Sequence, residues 1–461
     1  MQTTVIGGGY FLPPGHPSIQ NIKGRYRIRN PEYGQALALR EKGRWVEMPD
    51  EWVYACDELP PGHPWQGGLA IPRGIADATE GFHNLLGSTP LHDYRSYAEI
   101  KALQTTAGFE ARSYQSRAVE QLKKHQSGIV VAPCGSGKTA IGVLAISRIP
   151  AKALVLVHTL DLARQWIDRC RQMLGIEATL VGQGKKDDSG RVVVATFQTL
   201  ARWRWTERYD WAKQFGLVVA DEVHHTPSRT FRAVMMTMPA RYRLGLTATP
   251  DRPDGLTDLM WWHFGRRLLE LSQKDMISAG LVMAPKIEWL HTGWEGVDGP
   301  SDWPAFINKM TKDAGRNQSI IERVHRAVEE GRQVLVLSDR VAHCESLAET
   351  FRAAGIPSAA LVGRLSKTKR AQLLADAGAR KLLVVTATTI ADEGLDLPRL
   401  DTVMLTTPTK AMGRIQQRIG RVMRTADGKR TPLVIDLVDE PGSLRGLARK
   451  RFKLYSQMGC V

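Results

Sequence analysis

The stretch VVAPCGSGKTA, residues 130–140, decides how this chain must fold. Two valines end a short apolar run, a glycine-bearing loop follows, and Lys138-Thr139-Ala140 open a segment of helical pattern. A strand that feeds a helix N-terminus leaves backbone N–H groups pointing outward, and such an end attracts anions. Gly135 and Gly137, flanking Ser136, permit the turn that aims those groups at phosphate oxygens. Lys138 supplies a charge for the β- and γ-phosphates, and the Thr139 hydroxyl suits a Mg²⁺ ligand. Where loops of this kind usually begin with glycine, Ala132 stands here, a small change that the turn tolerates. ATP and Mg²⁺ are therefore the expected cofactors. The loop alone does not separate a kinase, a switch, a transporter motor and a motor on nucleic acid.

Outward from the loop the chain alternates apolar runs with amphipathic stretches. GIVVAP, KALVLVH, VVVAT, GLVVADE and RLGLTAT read as buried parallel strands, and TLDLARQWIDRCRQML reads as a helix between two of them. The pattern pauses over 280–303, then restarts with a helix over 305–330 and the strands QVLVLSD, AALV, KLLVVTAT, TVMLTTP and PLVIDLVD. Helices are expected between these strands at 340–354, 366–377 and 412–424, with a last one at 443–458. Two βαβ series predict an α/β fold of two tandem parallel-sheet lobes with a cleft between them. The expected domains are residues 1–108, 109–282 and 283–461. The first of these reads as a small, β-rich accessory domain, with GRYRIRN and QALALREKGRWVEM as short twisted strands. Its repeated LPPGHP, at 12–17 and 59–64, reads as two similar polyproline turns.

Bulk composition narrows the partners. At 461 residues, 43% apolar and 24% charged, the chain has the make-up of an ordinary globular protein. It has no apolar run of the ~18 residues that a membrane span needs and no secretory leader pattern, so a cytoplasmic location away from membranes is expected. Five scattered cysteines without a CxxC pair point to reduced thiols. The net charge of +16 is unevenly placed. Residues 1–108 carry 10 basic and 11 acidic side chains, 109–280 carry 25 and 16, and 281–461 carry 28 and 20. A polyanion lying across both lobes is the physical reading of that excess.

Downstream, LVVADEVHH runs a strand into Asp221 and Glu222. A carboxylate at the strand end can hold Mg²⁺ through water, and the next one can polarise an attacking water. GLTATP (245–250), ATTIADEGLDLP (387–398) and QQRIGRVMR (416–424) follow in that order. With the loop, these motifs resemble the superfamily 2 helicases and translocases with a DEVH box, over about residues 112–440. In motif style the chain is similar to the XPB/UvsW-like and restriction-translocase-like DNA helicases. It departs from the XPB pattern with Arg252-Pro253-Asp254 after the TAT motif.

The resemblance implies two RecA-like lobes and a set of roles. Arg112 and Gln115, in ARSYQ, would read the adenine. Gly394 and Asp396 would meet the nucleotide's ribose region, and Thr247 and Thr249 would couple hydrolysis to lobe closure. Gln417, Arg421 and Arg424, placed by spacing on one helix face, would serve the transferred phosphoryl group, the arginines as fingers. Thr159, Gln165, Thr196, Gln198 and Thr388 would touch the nucleic-acid backbone without reading bases.

The function expected is an ATP-dependent helicase or translocase, monomeric, on nucleic acid, with DNA favoured over RNA by the family branch. An ATP-switched clamp with little unwinding, or an RNA helicase, is the alternative. The nearly neutral N-terminal domain reads as a module that recognises a branched substrate, docks a protein partner or restrains the motor, its charge leaning toward a partner or regulatory surface. The alternating Arg202-Trp203-Arg204-Trp205 reads equally as a stacking grip on bases and as tryptophans tucked into the lobe.

Overall fold

The structure is a computed structural model that describes residues 4–41, 43–86, 90–225, 228–250, 252, 254–296, 302–388, 397, 399–409 and 412–461. The chain divides into two compact units, residues 1–132 with 137–270 and residues 133–136 with 271–461.

Among the described residues the first unit is built on an eight-stranded sheet. Its spatial order is Lys185–Lys186, Thr179–Gly182, Val192–Thr196, Ala153–Val157, Leu217–Asp221, Tyr242–Thr247, Ser127–Val131 and Arg267–Glu270. All neighbours run parallel except the outermost pair at the Lys185 edge. The five runs expected as strands are the five central ones, and four of them are buried along their whole length. Helices Lys138–Arg148 and Leu160–Leu174 supply crossovers between them. The edge strands carry charge and stay short, which hides them from an apolar-run reading.

In the second unit six strands are all parallel, in the order Lys286–His291, Leu433–Val438, Thr402–Leu405, Val334–Leu337, Val384–Ala387 and Ser358–Leu361. The strand Lys286–His291 falls inside the apparent pause at 280–303. It is a half-exposed edge strand with Lys286 and Glu288 among its residues, so its sequence lacks an apolar run. The single helix expected over 305–330 is two, Trp303–Met310 and Ala314–Glu329. Asp313 makes the break, because its side chain accepts from Arg316 N at 2.8 Å and caps the second helix.

The N-terminal part holds a five-stranded mixed sheet ordered Asp57–Glu58, Leu69–Pro72, Gly9–Leu12, Thr4–Ile6 and Leu91–Asp93, with a separate pair Arg27–Arg29 and Trp52–Tyr54. QALALRE is not a strand, as expected from sequence, but lies in the helix Pro31–Glu41. Asn30 accepts from Glu32 N at 3.0 Å, Pro31 takes the first position, and Ala, Leu, Arg and Glu carry the turns. The two LPPGHP copies do form matching turns. His16 and His63 each donate their backbone N–H three residues back and accept, through Nδ1, the N–H two residues on.

This module is packed into the first unit by buried arginines. Arg73 donates to the carbonyls of Ala240 (2.5 Å) and Arg241 (2.9 Å). Arg243, fully buried, donates to those of Gly8, Met238, Met235 and His263. Burial pushes the Arg243 pKa well down, and the carbonyl dipoles are what hold its charge. A Cβ on Gly8 would stand 2.0 Å from Met236 O, so only glycine permits that approach. Leu259 of the lobe shares an apolar cluster with Ile6, Leu12, Ile71 and Phe82. The following segment is bonded to the lobe as well, Ser96 to Pro239, Ile100 to Pro150 and Thr106 to Met173. Arg243→Met is expected to strip one donor from four buried carbonyls and cost about 3–5 kcal/mol. Urea unfolding measures that loss, and proteolysis should then cut the N-terminal module first.

Candidate active site

The loop after the strand Ser127–Val131 turns through two left-handed glycines, Gly135 (φ 86°) and Gly137 (φ 77°). Ser136 N donates to Pro133 O at 3.2 Å within that turn. Gly137 caps the helix Lys138–Arg148, so Lys138 and Thr139 occupy its first two positions. Lys138 Nζ donates to Ala132 O at 3.1 Å, which folds the ammonium back across the loop. Gln115 is buried on the helix Ser113–His125 and accepts from Arg112 N at 2.9 Å through Oε1. Its other amide atom, Nε2, lies 2.9 Å from where a Cβ on Gly137 would stand. The structure thus brings the ARSYQ segment and the phosphate loop side by side.

Asp221 ends its strand buried, and Trp166 Nε1 donates to its Oδ2 at 2.9 Å. Sequence reading missed Trp166. It also packs so closely on the loop helix that a Cβ on Gly142 would meet its ring at 2.4 Å. A tryptophan placed mid-helix beside Gln165 was the available signal, since a buried indole N–H requires a partner. Asp221 Oδ1 accepts from Glu222 N at 3.0 Å. Glu222 stands at φ 51°, a left-handed conformation that costs a residue with a side chain about 1–3 kcal/mol and clusters at functional sites.

The two carboxylates are pushed apart. Burial, and then the charge of Glu222, raise the Asp221 pKa, against the weaker opposing pull of the Trp166 hydrogen bond and the Lys138 charge. Burial works against the Glu222 charge too, but the His224 hydrogen bond and the charge of Lys138 outweigh it and hold the group down. His224 Nδ1 lies 3.3 Å from Glu222 Oε2 and 3.4 Å from Thr247 Oγ1. Thr247 Oγ1 accepts from Thr249 N at 3.3 Å. Arg252 donates to the His224 carbonyl and is ion-paired with Asp254. That gives the acidic residue after the TAT motif a place, as the clamp on Arg252.

Thr159 and Thr196 are helix N-caps, accepting from Leu162 N at 3.3 Å and Thr199 N at 3.2 Å. Thr196 Oγ1 also shares a hydrogen bond with Thr199 Oγ1 at 2.9 Å. Gln165 is half-buried and Gln198 is exposed. Because the central strands are parallel, Thr196, Thr159, Asp221, Thr247 and the phosphate loop follow one another along a single sheet edge, in that order. Of the alternating pair, Trp203 packs edge-on against Trp211 at 5.1 Å and Trp205 stacks on Tyr209 at 5.0 Å. Those contacts are the tucked arrangement.

In the second unit Gln417 and Arg421 are half-buried on the helix Met412–Val422. Arg424 is not on that helix. The helix stops at Val422, and Arg424 forms an antiparallel bridge with Val282. Arg418, which sequence reading passed over, is buried with its guanidinium 3.4 Å from Asp339. Thr388 directly follows the strand Val384–Ala387. Gly394 and Asp396 lie outside the described residues.

The two parallel-sheet lobes and the glycine-turned loop define a P-loop nucleoside triphosphatase. Comparison with known proteins narrows the class. Residues 108–252 match the family model "Type III restriction enzyme, res subunit", and residues 316–426 match "Helicase conserved C-terminal domain". The probable helicase D10 of Escherichia phage T5 is 26% identical over 326 residues, 70% of this chain and 70% of that one. The DNA 3'-5' translocase XPB2 of Sulfurisphaera tokodaii is 26% identical over 384 residues, 74% of this chain and 84% of that one. In fold, the chain is similar to a DNA-bound ATP-dependent Type ISP restriction-modification enzyme, LlaBIII, with TM-score 0.55 and 16% identity. That likeness covers 76% of this chain and 30% of the enzyme, so the chain spans under a third of it. The chain belongs to the superfamily 2 helicases and translocases, motors driven by ATP. No helix among the described residues is long and apolar enough to cross a membrane.

Proposed function

We propose that this chain hydrolyses ATP to move along DNA, separating strands or remodelling forks and branches as it goes. The observation that carries the reading is the order along the first unit's sheet edge. Thr196 and Thr159 sit at one end, the phosphate loop at the other, and Asp221, Glu222 and Thr247 between them, so any shift at the polymer end passes through the hydrolytic residues. Gln115 and Arg112 take the adenine, and Gly135, Ser136, Gly137 and Lys138 wrap the phosphates. The residues present fit a magnesium ion: Asp221 is a buried carboxylate whose charge burial disfavours, and Thr139 offers a hydroxyl at the helix N-terminus. When bound, the ion would neutralise charge on the phosphate oxygens.

Glu222 orients and deprotonates the attacking water, its carboxylate kept ionised by His224 and Lys138. Gln417, Arg421 and Arg424 serve the transferred phosphoryl group, with Gly394 and Asp396 at the ribose. Thr159, Gln165, Thr196, Gln198 and Thr388 hold the sugar-phosphate backbone. DNA is the track because the XPB-type relative is a DNA translocase by name. We keep residues 1–108, 109–282 and 283–461 as the functional divisions, with a protein partner at the first and a monomeric motor in the others.

The excess of basic residues after position 108 makes binding salt-dependent. For about five neutralised phosphates, affinity for single-stranded DNA should fall roughly 10²-fold between about 50 and 200 mM salt. Anisotropy titrations check this, and a flat salt dependence would remove the backbone-gripping role. Strand displacement from a forked duplex and third-strand displacement from a triplex are the functional test. Displacement in neither, with ATP turning over, would leave an ATP-switched clamp as the better reading.

A further inference from the structure

Between the Thr159–Thr196 end of the sheet edge and Glu222 lies a row of aromatic rings to which no role has been given. His158 directly follows the strand Ala153–Val157 and immediately precedes Thr159. Its ring centroid is 4.9 Å from that of Phe197, the residue after Thr196, and 4.2 Å from that of His225. His225 is in turn 4.3 Å from His224, which reaches Glu222 Oε2. Phe231 backs the row, stacked on Phe197 at 4.2 Å. Burial first, and then neighbouring histidines, hold the His158 pKa down to about 3 and that of His225 to about 4. Both rings are therefore neutral near pH 7 and pack without mutual repulsion.

We infer that His158 and His225 are positioning residues that carry polymer engagement at Thr159 and Thr196 to the Glu222 carboxylate. The inference rests on the motor reading above and names the regulation of its hydrolytic site. Rings in van der Waals contact leave no slack, so a displacement of either N-cap segment is passed from plate to plate. Glu222 is the end that responds, because its left-handed backbone occupies a narrow well in which a small rotation re-aims the carboxylate. The His158 ring also interacts directly with the Glu222 backbone, and its buried Nε2 has no hydrogen-bond partner among the described residues.

The test measures ATP hydrolysis by the full chain and by His158→Ala, His225→Ala, His158→Phe and His225→Phe. Each is assayed without polymer and with saturating single-stranded DNA, and DNA affinity is read by anisotropy. The alanine variants are expected to keep basal turnover and DNA affinity within about twofold while losing stimulation by about tenfold, and the ring-retaining phenylalanine variants to recover most of it. Alanine variants stimulated as fully as the parent would overturn the inference. So would basal and stimulated rates falling by one common factor, since a merely structural role scales both. A parent chain that DNA does not stimulate would overturn the motor reading along with it, whereas a stimulated parent with stimulated alanine variants defeats the row of rings alone.

Discussion

Glu222→Gln is expected to lower ATP turnover by about 10²–10⁴-fold while nucleotide and DNA binding persist. The substitution keeps the side chain's size and leaves the same left-handed backbone in place, so the fold has no reason to change. What it removes is the charge that His224 and Lys138 hold ionised. Gln fills the same space beside His224, but it cannot take a proton from water. Phosphate release gives the turnover, and a fluorescent nucleotide analogue gives the affinity. Undiminished turnover in the folded variant would take this carboxylate out of the mechanism.

Arg421→Ala and Arg424→Ala should each cost about 10³-fold or more in turnover, the scale at which arginine fingers act. The two residues are held differently, so their variants report different things. Arg421 projects from the helix Met412–Val422, where Arg418 is buried beside Asp339 and pins the helix in its lobe. Arg424 sits past the helix end in the bridge with Val282, and Lys429 Nζ donates to its carbonyl at 2.7 Å. If both act on the phosphoryl group, KM for ATP should move far less than kcat in both variants. A loss confined to KM would instead assign them to ground-state binding.

The features legible in the sequence are those in which chemistry restricts residue type locally. The loop requires glycine where φ is positive, and Gly135 and Gly137 meet that need within an eight-residue window. The central strands are buried on both faces and read as unbroken apolar runs. Asp221 and Glu222 declared themselves by following such a run. Features made by partners far apart in sequence did not. The helix around Trp166 shows that its indole needs a partner, but not that the partner is a carboxylate 55 residues away. Arg243 looks like a surface cation within a strand, and only the folded chain brings the Gly8 carbonyl to it, 235 residues distant. The helix Pro31–Glu41 reads as a strand because Ala36 to Leu39 form a short apolar run, which periodicity alone does not assign to helix or strand; the propensities of Ala, Leu and Glu favour the helix. The edge strand Lys286–His291 escaped for the opposite reason, being only half-buried and carrying charge.

A motor of this kind spends ATP on moving along nucleic acid. It is tested most directly by steady-state ATP hydrolysis at low salt, without polymer and then with single-stranded DNA, duplex DNA, forked DNA and RNA. Slow basal turnover and strong stimulation by DNA are expected, with fork preference if the motor remodels branches. Turnover that none of these polymers raises would contradict it.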